Sequence, residues 1–341
     1  MRAPEFWQGL LSLELSPTKA RAVLSQLGPD CCTLQQLLDS DAISQSDKQI
    51  AQAGNTGIIP AGIKWIGCDE HEFPENLRSA DPPVAISFRG TLLPEDTLAV
   101  AIVGTRKASV YGKAVAKKIS MELASAGVTI VSGGAHGVDS AAHEGALEVG
   151  GRTIAVMGCG VDVPYPKLNR ELFDRVIQNG AIVSQFSLGS APDWWRFPTR
   201  NDTIVGLSRA VVVIEAPEKS GALTTASSAA EHGRHMFVTP ANIDSLSHRG
   251  SFRLINEGAT LLYSPDQIFE ALGVKKRIGK AEKAELTEGQ RSILALLSSE
   301  PEIPDVIAEK LNLQAGPLLG ELTLLEVLGY VSKTSGGYIK N

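Results

Sequence analysis

The chain has 341 residues, 43% of them apolar, which is enough for two or three domains; three are expected, and no apolar run approaches the roughly 20 residues that span a bilayer. A net charge of −6 excludes indiscriminate nucleic-acid binding, so any phosphate-binding function must rest on a local cationic patch. Cys31, Cys32, Cys68 and Cys159 form no C-x-x-C pair, and the opening Met1–Trp7 stretch lacks an apolar secretion core, so a reduced, cytoplasmic setting is expected.

Residues 1–70 read as a small helical domain of helix-hairpin or SAM type. Phe6, Trp7, Leu10, Leu11, Leu13 and Leu15 supply an apolar start, and Ser16-Pro17-Thr18 caps a segment in which Ala20, Val23, Leu24 and Leu27 recur at helical spacing. With few cations, this module suits packing or dimer contact better than gripping a nucleic-acid backbone. Phe73–Leu77 and Pro82–Gly90 lead into a main domain over 73–272, where the paired prolines suit a linker followed by an edge strand.

The main domain opens on Ala99–Val103, a β-branched apolar run that reads as a buried parallel strand. Val115, Ile119 and Leu123 then give a helix its apolar stripe, and Gly127 stops it before the next run, Val128–Ser132. Arg152–Met157, Ala181–Gln185, Val211–Glu215, His235–Thr239 and Ala259–Tyr263 continue the strands, with helical patterns between them. Such alternation predicts an α/β fold, a Rossmann-like, doubly wound, mainly parallel sheet with its ligand at the carboxyl ends of the strands. Residues 273–286 form a charged linker. Over 287–341, three helical patterns and two short strands predict a winged helix. Its recognition segment, Gln314–Leu322, has no Arg or Lys to read a groove and favours a protein contact over duplex DNA.

Five stretches after the strands carry the chemistry: Gly104–Ser109, Ser132–Asp139, Gly158–Arg170, Trp194–Asn201 and Ser220–Thr225. The first brings Arg106 and Lys107 to a helix start, where free N–H groups attract anions. The others add glycines that let backbone approach a ligand, hydroxyls, and further cations. Together they point to a phosphate-rich ligand. Trp194 and Trp195 either stack on unpaired bases or anchor a long loop. Asp139 and His143, at i and i+4, read as a capping acid and a structural histidine rather than a metal pair. A dinucleotide-dependent oxidoreductase does not fit, because the first turn is Gly-Thr-Arg-Lys-Ala-Ser rather than G-x-G-x-x-G.

Read in order, these motifs closely resemble the DNA-processing protein A (DprA/Smf) family. The match includes Phe73-Pro74-x-x-Leu77, Gly104-Thr105-Arg106-x-x-Ser109-x-Tyr111-Gly112, Gly137-x-Asp139-x-x-Ala142-His143, Tyr165-Pro166-x-x-Asn169-Arg170, Phe197-Pro198-x-Arg200-Asn201 and Ser220-Gly221-Ala222-Leu223-x-Thr225. The resemblance implies an extended Rossmann domain that binds single-stranded DNA, self-associates as a homodimer and helps load the RecA recombinase during natural transformation, with no membrane role. We expect Arg106, Lys107, Lys167, Arg170 and Arg200 as phosphate partners. Thr105, Ser109, Asn169, Asn201, Ser220 and Thr224 stand beside them, and backbone at Gly104, Gly133 and Gly221 closes the pocket. No catalytic residue, metal or cofactor is expected.

Three departures stand out. The family usually carries Arg where His136 and Asp202 stand, and Glu where Gln185 ends a strand, which implies weaker binding or compensation by Arg196, Arg249 or Arg253. Related Rossmann-like phosphoribohydrolases place a catalytic glutamate where this chain has Ser227, so a nucleotide-binding or nucleotide-hydrolysing enzyme is the alternative reading.

Overall fold

The computed structural model describes residues 2–54, 59–78, 82–274, 286–298, 300–327, 330–334 and 336–340. It divides into two compact units, Met1–Arg277 and Ile278–Asn341. The first opens with helices α1 (Pro4–Ser12), α2 (Pro17–Leu27), α3 (Leu34–Asp39) and α4 (Gln45–Gly54). There follow β1 (Ile63–Gly67), α5 (Glu75–Arg78), β2 (Ala85–Gly90), β3 (Ala99–Val103), α6 (Val110–Ser125), β4 (Thr129–Ser132), α7 (Val138–Glu148), β5 (Thr153–Val156), α8 (Arg170–Asn179) and β6 (Gly180–Ser184). The unit ends with α9 (Arg196–Leu207), β7 (Ala210–Val213), α10 (Gly221–Glu231), β8 (His235–Val238), α11 (Arg249–Asn256), β9 (Thr260–Leu261) and α12 (Asp266–Leu272).

All nine strands form one sheet in the order β1-β2-β6-β5-β4-β3-β7-β8-β9. From β6 to β9 every neighbouring pair is parallel, while β1–β2 and β2–β6 are antiparallel. The central strands are buried on both faces, which is why they are written in Val, Ile and Ala without a polar alternation. Ala101, Val103, Val211 and Val213 face one layer, with Ile204 of α9 and Ala226 of α10. Val100, Ile102, Ala210 and Val212 face the other, with Ile119 and Leu123 of α6 and Ala142 of α7.

Two expectations need correction. The span 1–70 is not purely helical, because β1 pairs along its whole length with β2. Phe6, Trp7 and Leu10 of α1 share a core with Met157 and Ile182 of the sheet region, so the first helices are packed onto the sheet. In turn β2 is an inner strand, flanked by β1 and β6; its prolines precede the ladder, where a missing N–H costs nothing.

The second unit holds α13 (Glu288–Leu296), α14 (Pro304–Leu311), α15 (Ala315–Val327), β10 (Val331–Thr334) and β11 (Gly337–Lys340), as a winged helix requires. Ile293, Ile307, Leu318, Leu322 and Tyr338 close its core. Of the charged stretch 273–286, residues 275–285 lie outside the described residues. Among the described residues no helix is long and apolar enough to cross a membrane.

Candidate nucleic-acid interface

From β3 the chain winds outward through β4, β5 and β6, whereas β7 returns to the other side of β3. The loops leaving β3 and β7 therefore diverge at their carboxyl ends, the place where an open α/β sheet leaves a crevice. A cavity of about 540 Å³ opens there. Its walls include the Gly104–Lys107 turn, the first half of α9, and the start of α10 with Lys219 before it, and Ala135, Asp139 and Trp194 also line it. The turn sits tightly against its surroundings: a Cβ on Gly104 would lie 2.5 Å from Val138 Cγ2, and Thr105 N donates to Glu215 O at 2.7 Å. Thr105 Oγ1 accepts from Lys107 N at 3.2 Å, so its hydroxyl shapes the turn.

Arg106 is exposed, and its guanidinium lies 4.7 Å from the Phe197 ring centre. That stacking orients the planar fork and leaves its N–H donors open to an oxyanion. Lys107 and Lys219 are exposed on the same cavity. Gly221 has open space beside its Cα, so the backbone there is accessible. Lys219 was not among the expected residues; its signal was its place directly before the Ser220 helix cap.

Arg200 behaves differently from expectation. It is buried on the second turn of α9, not on a loop: the Trp194–Asn201 stretch becomes helix from Arg196, since Pro198 falls in the first turn, where proline is tolerated. Its Nη1 donates to Gly133 O at 2.6 Å and to Val156 O, tying together the ends of β4 and β5. Burial lowers the Arg200 pKa to about 10, with the Asp139 carboxyl opposing the shift. A Cβ on Gly133 would stand 2.7 Å from both terminal guanidinium nitrogens. Gly133 is thus bare to admit Arg200, not to bring backbone N–H to a ligand.

Ser109 is likewise committed. Its N and Oγ both donate to Glu215 Oε2 at 2.9 Å, and Oγ accepts from Gly112 N. The fully buried Glu215 carboxylate is therefore the anion at the α6 N-terminus, and the expected phosphate contact from Ser109 is replaced by this internal one. Asn201 Nδ2 donates to Thr224 Oγ1 at 3.0 Å, Thr224 Oγ1 donates to Gly221 O at 2.6 Å, and Ser220 Oγ accepts from Ala222 N at 3.2 Å. These three side chains hold the α10 start in place.

Lys167, Asn169 and Arg170 do not line this cavity. Asn169 is buried, donating from Nδ2 to Gly134 O and Ser140 Oγ at 2.9 Å each, while Lys167 and Arg170 are exposed on either side of it. Asp139 is not a helix cap: it is the second residue of α7 and accepts from Ala135 N at 3.3 Å, and burial raises its pKa against the opposing Arg200 charge. His143 is structural, with Nδ1 against Thr153 Oγ1 at 2.7 Å and a pKa pushed down to about 3 by burial, then by Arg200. No cluster of His, Cys, Asp and Glu suited to a metal occurs among the described residues.

The two tryptophans differ in their surroundings. Trp194 is 83% exposed at the cavity, whereas Trp195 packs edge-on against Phe186 beneath the Arg196 guanidinium. The proposed compensating cations are mostly engaged: Arg196 is buried with Glu14 and Asp193, and Arg253 pairs with Glu257 at 2.6 Å. Of the departures, Gln185 accepts from the Thr203 hydroxyl in a cleft beside α1, and neither it nor Asp202 lines the cavity.

A family model described as DNA recombination-mediator protein A matches residues 64–273, more than half of the chain. The chain belongs to the DprA/Smf family. A second model, the DprA winged helix domain, matches residues 280–337. Protein Smf from Escherichia coli is 35% identical over 296 residues, 84% of this chain and 78% of that protein. The crystal structure of DprA from Streptococcus pneumoniae superposes with a TM-score of 0.66 at 31% identity, covering 79% of this chain and 98% of that one. DprA from Helicobacter pylori, described by its single-stranded DNA binding mode, gives 0.56 at 31% identity, covering 62% and 95%. Membership makes this a DNA-processing protein of Rossmann-like fold with a C-terminal winged helix.

Proposed function

We propose that the chain binds single-stranded DNA in the cavity at the carboxyl ends of β3 and β7, without turning it over. The observation that carries this reading is Arg106, exposed and stacked on Phe197, beside the exposed cations Lys107 and Lys219 and the exposed face of Trp194. Cations that follow a backbone, with an aromatic face for a base, suit an unpaired strand better than a duplex. The Helicobacter pylori relative supports the choice of ligand.

On this reading the protein acts in the cytoplasm in DNA uptake, protecting incoming strands and helping load RecA, with the winged helix making protein contacts. It self-associates through the outer edge of β9, where Leu261 is 42% and Tyr263 78% exposed; Ile268, Phe269 and Leu272 of the same stretch are buried in the fold. Nucleotide hydrolysis is the competing reading, favoured by the buried Asp139 carboxyl that lines the cavity. Against it, Ser227 holds the position of the family-alternative glutamate and donates its hydroxyl to Leu223 O at 3.1 Å. Titration with oligothymidine and with its duplex at matched salt, beside a nucleotide-hydrolysis assay, tests the proposal. Preferential single-strand binding without product is expected; product formation or duplex preference overturns it.

A further inference from the structure

A second cavity of about 580 Å³ lies between α6 and α7, and Arg106 belongs to the lining of both. Its wall on the α6 side carries Lys113 and Lys117, one helical turn apart and so about 6 Å along the axis, a spacing that lets each meet a different phosphate. Across from them stand His136 and Asn169, and the exposed Lys167 and Arg170 flank Asn169 in sequence. Glu144 is the one acid of this lining among the described residues, and Lys117 is shared with Glu148. Lys113 is exposed and joins none of the ion pairs found among the described residues.

Charge, continuity and spacing together carry a ligand assignment. We propose that this cavity is a second phosphate subsite, joined to the first through Arg106, in which Lys113 and Lys117 hold the backbone of the next nucleotides of the same single strand. The inference rests on the single-strand reading above and extends it by giving the strand a direction: out of the first cavity, over Arg106, and along the α6 face toward Lys167 and Arg170. It accounts for how Lys167 and Arg170 act on a ligand although neither lines the first cavity.

The test compares the full-length protein with the Lys113→Ala/Lys117→Ala variant, using fluorescein-labelled oligothymidines short enough for one cavity (three nucleotides) and long enough for both (about twelve). A neutralised phosphate on a single strand changes the salt slope by about 0.7, or about fivefold in affinity at roughly 0.1 M salt. Because Lys117 is shared with Glu148, we expect the long oligomer to weaken about tenfold and its slope to fall by about 1, with the trimer changed less than about twofold. Lys113→Arg/Lys117→Arg restores the wild-type values. Equal losses for both lengths, or no loss for either, overturn the second subsite while leaving single-strand binding intact. A wild-type protein that binds neither oligomer overturns the parent reading and this inference with it.

Discussion

Replacing Arg200 by Ala separates a residue that holds the site together from one that holds the ligand. The side chain is 5% exposed, and its Nη1 bridges Gly133 O and Val156 O at the ends of two neighbouring strands. Truncation orphans two carbonyls, each costing about 1–3 kcal/mol when buried, and leaves a void beside Gly133. A loss of about 3–5 kcal/mol follows, which for a unit of this size lowers the melting temperature by roughly 10 °C. Arg200→Lys keeps the charge but cannot reproduce the planar fork, and should recover only part of the loss. Thermal melting read by circular dichroism supplies the first readout, and the salt slope of oligothymidine binding below the transition supplies the second. The expected pattern is a lowered melting temperature with an unchanged slope. A variant that melts like wild type while its slope drops by about 0.7 would show Arg200 on a phosphate and refute the assignment.

Three further outcomes follow from named geometry. Trp194→Ala should weaken oligothymidine binding by about 1–3 kcal/mol with an unchanged melting temperature, whereas Trp195→Ala, which removes a ring packed on Phe186, should lower stability and leave affinity nearly intact; the reverse pattern sinks the division. His143 is buried neutral with its pKa near 3, below the unfolded value, so stability should be full above about pH 6.5 and decline by about 1.4 kcal/mol per pH unit as acid carries it toward 3. Urea unfolding from pH 7 to 4 measures this, and a His143→Gln variant with the same slope as wild type would rule His143 out as its source. Leu261→Asp with Tyr263→Asp should shift the molar mass in light scattering from dimer to monomer; a wild-type protein that stays at one chain up to tens of micromolar contradicts self-association through β9.

The frame of the fold was legible because its signals are local. Runs such as Ala99–Val103 and Ala210–Val213 are apolar on both faces, and only a strand covered on both sides tolerates that. The Gly104-Thr105-Arg106 turn was legible for the same reason. The strand β1 was not, since five residues at the end of a helical region acquire meaning only from their partner, β2, about twenty positions on. Ser109 and Arg200 show the same limit at the site. Both types suit a phosphate, yet Ser109 is claimed by Glu215, 106 positions away, and Arg200 by Gly133, 67 positions away. Tertiary packing decides whether a polar side chain faces a ligand or closes an internal demand, and spacing along the chain carries no record of it. Lys113 and Lys117 carry no signal in the sequence, because an i, i+4 lysine pair on a helix is ordinary unless a cavity lies beside it.

The central claim, that an unpaired strand lies against Arg106, is tested most directly by the salt dependence of oligothymidine binding in wild type and Arg106→Ala. The side chain is exposed and touches Phe197 but engages no carboxylate among the described residues, so the variant should fold and melt as wild type does. Its affinity should fall at least about fivefold at roughly 0.1 M salt, and the slope of log affinity against log salt should decrease in magnitude by about 0.7. A folded Arg106→Ala protein with wild-type affinity and slope would place the DNA elsewhere and contradict the account.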